Sequence, residues 1–328
     1  MKTTNQKTRV SKRKTKKKRK FLFFLIPFLL IAGAGAYFIY EYQAGLKLSQ
    51  SVAAIDEDIE FNGVSDLTGK VNVLLLGVDA RENEEVSRTD TIMIAQYDPE
   101  QNTTKLVSIM RDTYINIPNY GQYKINSANA LGGPELLRQT ISENFGVDVQ
   151  YYALVNFEAF SQVIDTAFPD GVEVEVEKAM EKNIGIRLEP GLQKLNGEQL
   201  LGYVRFRADA ESDFGRVRRQ QEVMEILTNE LVSVQGVLKS PRLLGTIQPY
   251  IQTNIDNPTV LSIASSLLLS DNMEVDTLRV PVDDSFEDRR YPNAGLVLEI
   301  DVEKNKQEIQ NFLSGTSVEA STEVEVNP

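Results

Sequence analysis

The sequence predicts an α/β protein, a mixed sandwich with helices on both faces of a sheet, preceded by one transmembrane helix. Two observations predict this fold class. Phe21–Tyr40 is a run of 20 residues without a charge. Between residues 70 and 313, short apolar strand-like runs alternate irregularly with segments of helical spacing, with no repeat and no linker. We therefore expect one globular domain outside a membrane anchor.

The N-terminus has the features of a membrane anchor. Residues 1–20 hold 11 of the 35 Lys and Arg side chains and no acidic one. A span of about 20 apolar residues matches a bilayer core, and flanking basic residues stay on the cytoplasmic side. Ala34-Gly35-Ala36 resembles a signal-peptide cleavage site, but the apolar run continues to Tyr40. We therefore favour a retained anchor with the rest of the chain outside the cell.

Changes in composition along the chain predict its domain organisation. The predicted order is a basic cytoplasmic tail at 1–20, a signal-anchor at 21–40, a membrane-proximal connector at 41–68, an outer domain at 69–313 and an acidic tail at 314–328. The last segment is small, acidic and aperiodic, so we expect it to be disordered.

Composition excludes several classes of function. Beyond residue 20 the chain carries 24 basic and 47 acidic side chains, which argues against nucleic acid as a partner because phosphate contacts need a broad basic surface. The chain has no Cys and no His, so disulfides, thiolate nucleophiles and imidazole bases are excluded. Catalysis would depend on carboxylates, Arg or Lys, hydroxyls or a hard metal ion.

Hydrophobic periodicity and turn residues predict the elements in order. The predicted strands are 71–76, 91–97, 104–110, 151–155, 172–176, 203–207, 274–280 and 296–300. The predicted helices are 134–145, 157–167, 196–202, 215–234, 241–253, 258–269 and 302–313.

The second and third strands form a predicted hairpin whose open end is charged. With the turn centred between Glu100 and Gln101, Asp90 faces Arg111. If the first strand is antiparallel to the second, the intervening loop brings Asp79 close to Asp90. Two carboxylates at adjacent strand ends suit Mg²⁺, which takes one or two carboxylates together with waters and phosphate oxygens. A turn-forming role for the aspartates, or a simple ion pair between Asp90 and Arg111, explains the same residues.

A second charged segment follows at YVRFRADAESDFGRVRRQQ, residues 203–221, which holds five of the 14 Arg residues beyond residue 20. On a strand, Arg205 and Arg207 would point the same way. On the following helix, Arg216 and Gln220 share a face, with Arg219 beside them. Guanidinium groups bind phosphate oxygens in two-point contacts, and a helix N-terminus near residue 215 would add anion attraction. A salt-bridged surface is the alternative, since acidic residues are interleaved.

These motifs, taken together, resemble the LytR-CpsA-Psr family of cell-wall glycopolymer ligases from Gram-positive bacteria. The resemblance covers about half the chain and lies in LLLGVDAR, SRTDTIM, VSIMRDTYI, KINSANALGG, LNGEQLLGYVRFR and DFGRVRRQQ. Ser127-Ala128-Asn129 departs from the expected pattern, in which an aromatic residue would follow Ala. The resemblance implies an extracytoplasmic three-layer α/β/α sandwich with a central mixed sheet and an apolar cavity for a polyprenyl tail.

The resemblance also implies roles for individual residues. Asp79 and Asp90 would bind Mg²⁺, with Mn²⁺ as an alternative. The diphosphate would be bound by Arg88, Arg111, Arg205, Arg207, Arg216 and Gln220, with Arg219 in the same set. Arg111, Arg205 and Arg207 would act in catalysis. Because the chain lacks His, a carboxylate would accept the proton of the attacking hydroxyl, and we expect Asp213 to do so.

The implied function is that of a phosphotransferase in cell-wall biogenesis. It would move a teichoic acid or capsule polysaccharide from a polyprenyl diphosphate carrier onto peptidoglycan, forming a phosphodiester and releasing polyprenyl phosphate. A polyprenyl diphosphate phosphatase is an alternative that would use water as the nucleophile. A non-catalytic, membrane-anchored lipid-binding scaffold is another. The predicted partners are the carrier-linked glycopolymer, peptidoglycan and the membrane.

Overall fold

The computed structural model describes residues 36–37, 39–45, 47, 59–66, 68–78, 89–232, 242, 245–246, 251–256, 259–260 and 275–315. Most of the predicted anchor 21–40, the basic tail and almost all of the acidic tail lie outside these ranges. Within them, no helix is both long enough and apolar enough to cross a bilayer.

The elements with defined bounds in the described part of the chain are twelve strands and five helices. The strands are β1 Val71–Val78, β2 Thr89–Asp98, β3 Thr103–Ile109, β4 Thr113–Ile117, β5 Gly121–Lys124, β6 Tyr151–Asn156, β7 Val172–Val176, β8 Gly191–Leu195, β9 Ile251–Thr253, β10 Val275–Val280, β11 Phe286–Tyr291 and β12 Gly295–Ile300. The helices are α1 Asn126–Phe145, α2 Phe157–Ala167, α3 Gly197–Arg205, α4 Ser212–Val232 and α5 Val302–Ser314.

The central sheet has six strands in the order β10-β3-β2-β1-β6-β9. β1 pairs with β2 and β2 with β3 in antiparallel fashion, whereas β6 runs parallel to β1 and β10 parallel to β3. A four-stranded sheet, β11-β12-β4-β5, and the hairpin β7-β8 complete the architecture. The predicted mixed α/β sheet is therefore confirmed, and its first two strands are antiparallel, which meets the condition for bringing residue 79 towards Asp90.

One face of the central sheet is tightly packed. Alternate residues such as Leu74 and Leu76 point to this face and are buried against the apolar sides of α1 and α5, which contribute Leu137 and Ile309. Full burial of such a side chain stabilises the fold by about 1.5–3 kcal/mol. Helix α1 ends at Gly146, whose φ of 66° is left-handed, so that its N–H caps the carbonyl of Ser142.

The other face of the central sheet is less completely covered. Val73 and Leu75 of β1 point to it and are only half-buried, as are Ala153 and Val155 of the neighbouring β6. Helix α4 approaches this face near β2 and β3, where Gln220 donates to the Thr91 hydroxyl at 3.0 Å. Apolar sheet residues therefore remain partly accessible beside the helix that carries three of the seven predicted phosphate-binding residues, Arg216, Arg219 and Gln220.

The structure corrects the prediction of a strand at 203–207. Helix α3 runs through Arg205, because Asn196 and Gln199 form a capping box and Leu200, Tyr203 and Val204 are buried at helical spacing. Arg205 therefore belongs to a helix, and Arg207 follows it in the connection to α4. The two side chains do not project together from a strand.

Other boundaries also differ. Helix α4 begins at Ser212 rather than residue 215, and the end of the predicted helix 241–253 is wrong because β9 pairs with β6 there. Only residues 259–260 of the predicted helix 258–269 are described. Strands β4, β5, β8 and β11 were not predicted, since they are short and, like FEDRRY in β11, often polar. Helix α1 starts at Asn126 rather than at the predicted residue 134. Its backbone is not helical at Gly132 and Gly133, so the predicted start coincides with the second part of the helix.

Candidate active site at one edge of the central sheet

The hairpin β2-β3 positions the first two candidate residues. Its register pairs Ile92 with Ile109, which agrees with the predicted turn centre. Asp90 and Arg111 consequently lie opposite each other, and Nη1 of Arg111 donates a hydrogen bond to Oδ1 of Asp90. The predicted juxtaposition of these two residues is confirmed.

Helix α4 brings a third residue to Arg111. Asp213, in the first turn of the helix, places Oδ2 3.4 Å from Nε of Arg111, and Oδ2 of Asp112 lies 3.6 Å from the same nitrogen. Burial opposes the charged guanidinium, but Asp213, Asp90 and Asp112 outweigh burial and raise the pKa of Arg111. Arg111 is thus a permanently charged group, held in a half-buried position.

Arg216 completes what we call the guanidinium cluster, which consists of Asp90, Arg111, Asp213 and Arg216. The Arg216 side chain is 5% exposed, and its Nη2 lies 2.9 Å from Oδ2 of Asp213. Its Nε is buried and has no hydrogen-bond partner among the described residues. Burial lowers the pKa of Arg216 despite the attraction of Asp213, and Arg111 nearby lowers it further. A buried guanidinium with an unused N–H is a favourable position for an added anion.

Two predicted diphosphate ligands lie further along the same edge, towards β6. The Arg205 guanidinium stands over the ring of Phe157, 4.6 Å from its centroid, immediately after the end of β6. The amide nitrogen of Gln220 donates to Thr91 and lies 3.4 Å from the carbonyl of Val204. Gln220 therefore links α4 to both β2 and α3.

The structure places Arg219 elsewhere. Its side chain is completely buried, its Nη1 lies 3.2 Å from Oδ2 of Asp209, and its Nη2 donates to the carbonyl of Phe206. These contacts hold in place the segment between α3 and α4, which includes Arg207. Arg207 itself is exposed. Arg219 is not brought into the guanidinium cluster, and its predicted role in binding diphosphate stays a prediction.

The predicted Mg²⁺ site stays a prediction. Asp79 and Arg88 lie outside the described residues, and no group of three or more carboxylates suited to a metal occurs within them. The Asp90 carboxylate is at the expected edge and is 27% exposed. One or two carboxylates with phosphate oxygens and waters are a usual Mg²⁺ environment, so Asp90 fits such a role.

A cleft of about 610 Å³ opens beside the cluster. Arg111, Asp213 and Arg207 are among the residues that line it. Its walls come from the end of β3, the start of α4 and strand β12, and the remaining residues that line it include Asp112, Lys124, Lys182, Asn183, Glu211, Phe214, Asp288 and Leu296. The cleft gives an extended substrate access to the cluster.

From the sequence, Lys124 was not predicted as a residue of this cleft, and Asp112 was given no role. Nζ of Lys124 lies 2.6 Å from Oδ1 of Asp112, and Asp112 also approaches Arg111. Lys124 opens the segment KINSANALGG, so the motif held the signal. The proximity arises because β5 pairs with β4, which places Lys124 opposite Tyr114, just after Asp112.

Comparison with known proteins gives a consistent result. The LytR_cpsA_psr family model matches residues 36–311. The chain is 44% identical over 277 residues to "Regulatory protein MsrR" of Staphylococcus aureus, covering 84% of each chain. It is 33% identical over 266 residues to the "Polyisoprenyl-teichoic acid--peptidoglycan teichoic acid transferase TagU" of Oceanobacillus iheyensis, covering 76% of this chain and 82% of the relative.

Solved structures agree. The fold is similar to that of the LytR-CPS2A-psr family protein YwtF (TagT) with bound octaprenyl pyrophosphate lipid, with a TM-score of 0.55 and 25% identity. The match covers 80% of this chain and 96% of the other. TagT is a Bacillus subtilis protein. The fold and the sequence thus point to the same group of proteins.

Proposed function

The chain belongs to the LytR-CpsA-Psr family, and from this premise we propose that it transfers a glycopolymer from a polyprenyl diphosphate carrier to peptidoglycan. The names of TagU and of lipid-bound TagT support this substrate class. The structural observation that supports it most strongly is Arg216, a buried guanidinium with an unused N–H beside Arg111. Such a pair is suited to the oxygens of a diphosphate.

In the proposed reaction, a hydroxyl of the acceptor attacks the phosphorus that carries the sugar. A new phosphorus–oxygen bond forms, the bond to polyprenyl phosphate breaks, and polyprenyl phosphate leaves with the bonding electron pair. Transfers of this kind depend mainly on positioning and on neutralising charge on the phosphoryl oxygens. Arg111 and Arg216 provide both, because neighbouring carboxylates hold their side chains in place.

Asp213 is the proposed proton acceptor. Its carboxylate lines the cleft and contacts both guanidinium groups of the cluster. A hydroxyl that enters through the cleft would therefore pass close to the Asp213 carboxylate. No described residue is a histidine, and the whole chain has none, so a carboxylate is the natural acceptor.

Mg²⁺ would be held by Asp90 and, by family resemblance, by Asp79. When bound, it would neutralise charge on the diphosphate oxygens. Arg205 and Gln220 would contact the same diphosphate from the β6 side. The half-buried apolar face formed by β1 and β6 would hold the polyprenyl tail.

We further propose that Phe21–Tyr40 anchors the protein with its basic N-terminus in the cytoplasm and its catalytic domain outside. Lys and Arg beside an apolar run favour this orientation. Protease treatment of intact cells after removal of the wall tests it. Cleavage of the outer domain, with protection of an N-terminal tag, is the expected result, and a protected outer domain would contradict it.

Reconstitution tests the activity. Full-length protein is supplied with carrier-linked polymer and Mg²⁺, with and without peptidoglycan. We expect polymer to become covalently attached only when peptidoglycan is present. Release of free polymer or inorganic phosphate at the same rate without acceptor would instead indicate the phosphatase. A scaffold would give neither product.

A further inference from the structure

The candidate residues are spread along the sheet edge in a definite order. Arg205 stands at the end of β6, Gln220 contacts β2, and Arg111 follows β3. Since β1 lies between β6 and β2, the distance from β6 to β3 is three strand spacings, about 14 Å. The edge is therefore long enough to hold different parts of a reacting complex at different positions.

The two ends of this edge differ in chemistry. At the β6 end, the neighbouring sheet face presents the half-buried side chains of Val73, Leu75, Ala153 and Val155, which suits an alkyl chain. At the β3 end, the cleft is lined by both cationic and acidic side chains, with the apolar Phe214 and Leu296 among them. Mixed charges and apolar surface suit a sugar polymer, which has hydroxyls and apolar ring faces, and they do not suit a long alkyl chain.

Reaction geometry decides which reactant enters at each end. In a phosphoryl transfer the attacking and leaving oxygens lie roughly in line on opposite sides of the phosphorus. With the polyprenyl phosphate leaving towards β6, the attacking hydroxyl has to arrive from the β3 side. The cleft lies on that side, beside Arg111 at the end of β3, and Asp213 is one of its lining residues.

We propose that this cleft is the acceptor subsite and binds a glycan strand through its exposed residues Lys182, Asp288 and Leu296. This inference rests on the proposed function and adds to it the place where the acceptor binds. All three residues line the cleft and are exposed, and none of them belongs to the guanidinium cluster. Leu296 is 53% exposed on β12, so a larger side chain there would narrow the cleft without entering the core.

The decisive experiment narrows the cleft. Full-length Leu296→Trp is assayed with carrier-linked polymer and soluble, uncrosslinked peptidoglycan strands, and the KM for each substrate is measured separately. We expect the acceptor KM to rise about tenfold, with the donor KM unchanged. Leu192→Trp is the matched control, because Leu192 is 63% exposed on β8 and does not line the cleft.

A second variant removes a contact without adding bulk. Lys182→Ala, in an exposed loop, is expected to raise the acceptor KM about fivefold, again with the donor KM unchanged. An unchanged acceptor KM in both variants overturns the subsite, as does a rise in the donor KM alone, which would place the donor's polymer in the cleft. If the wild-type protein attaches no polymer to any acceptor, the proposed function itself fails, which is a different result from transfer with unaltered KM values.

Discussion

Arg216 and Arg218 are two residues apart in helix α4, yet their surroundings are opposite. Arg218 is 42% exposed and forms a two-point contact with Glu177 at 2.7 and 2.8 Å, with Glu211 at 3.2 Å. Arg216 is 5% exposed and has one carboxylate partner, with Nε unused in the described part of the chain. We call the group of Glu177, Glu211 and Arg218 the surface network.

The difference indicates which of the two arginines can bind an added anion. In the surface network every charge already has a partner, and Arg218 lowers the pKa of Glu177 directly. In the guanidinium cluster, burial is the main influence on Arg216 and lowers its pKa. An anion gains more from a buried cation with few partners than from an exposed one that is fully paired. Similar sequence neighbours can therefore have different roles.

The largest expected effect is on stability and concerns Arg219, the third arginine of this helix. Removing one partner of a buried ion pair typically costs about 3–5 kcal/mol. We expect Arg219→Ala to lower the free energy of unfolding by about 3 kcal/mol, the lower end of that range. The loss is limited because Lys178, 3.1 Å from Asp209, still neutralises this carboxylate. Chemical denaturation measures it, with the exposed Arg187→Ala as control. Full stability with weakened donor binding would place Arg219 among the diphosphate ligands instead.

The next effect is on activity and concerns the guanidinium cluster. Loss of a donor aimed at developing charge lowers rates by about 10²–10³. We expect Arg111→Ala to reduce the transfer rate by this factor while circular dichroism and the melting temperature show a folded protein. Arg218→Ala, from the surface network, serves as the control and should keep the wild-type rate. Wild-type turnover in Arg111→Ala would count against the cluster as the reaction centre.

Asp213→Asn separates proton acceptance from charge pairing. The amide keeps the shape of the carboxylate but is a poor base, so we expect kcat to fall about 100-fold with little change in the donor KM. A full-rate Asp213→Asn protein removes Asp213 as the proton acceptor. A large rise in the donor KM with kcat unchanged would assign it to positioning Arg111 and Arg216.

The smallest effect is expected in the surface network. Exposed ion pairs contribute about 0–1 kcal/mol, so Arg218→Ala should lower the free energy of unfolding by less than about 1 kcal/mol at pH 7. Because the folded-state pKa of Glu177 lies below its ordinary value of 4.5, the contribution is present above that pH and is lost as pH falls below it. Unfolding curves at pH 7 and pH 3 check this. A difference between wild type and variant that persists at pH 3 would show that packing, rather than charge, is responsible.

Local patterns predicted much of the fold. The position of the turn around residue 100 set the register of β2-β3, which in turn placed Asp90 opposite Arg111. Helix α2 was predicted at its observed bounds, and its start is fixed locally, since Asn156 accepts a hydrogen bond from the N–H of Ala159. These features depend on neighbours within a few residues, so the sequence reveals them directly.

The errors arose where long-range contacts decide the outcome. Arg205 and Arg207 were expected on one strand, but the burial of Tyr203 and Val204 extends α3 through Arg205. The cleft also required β12 to pair with β4, an association of residues 298–299 with 113–114. Local spacing contains no information about such a pairing.

By itself, the sequence determined the class of the protein, the order of most central elements and the set of charged residues available for chemistry. Tertiary structure alone decided which arginine of α4 belongs to the guanidinium cluster, which one holds the adjoining loop and which one lies on the surface. The physical reason is desolvation, since the electrostatic environment of a guanidinium depends on every element packed around it and cannot be deduced from its neighbours in the chain.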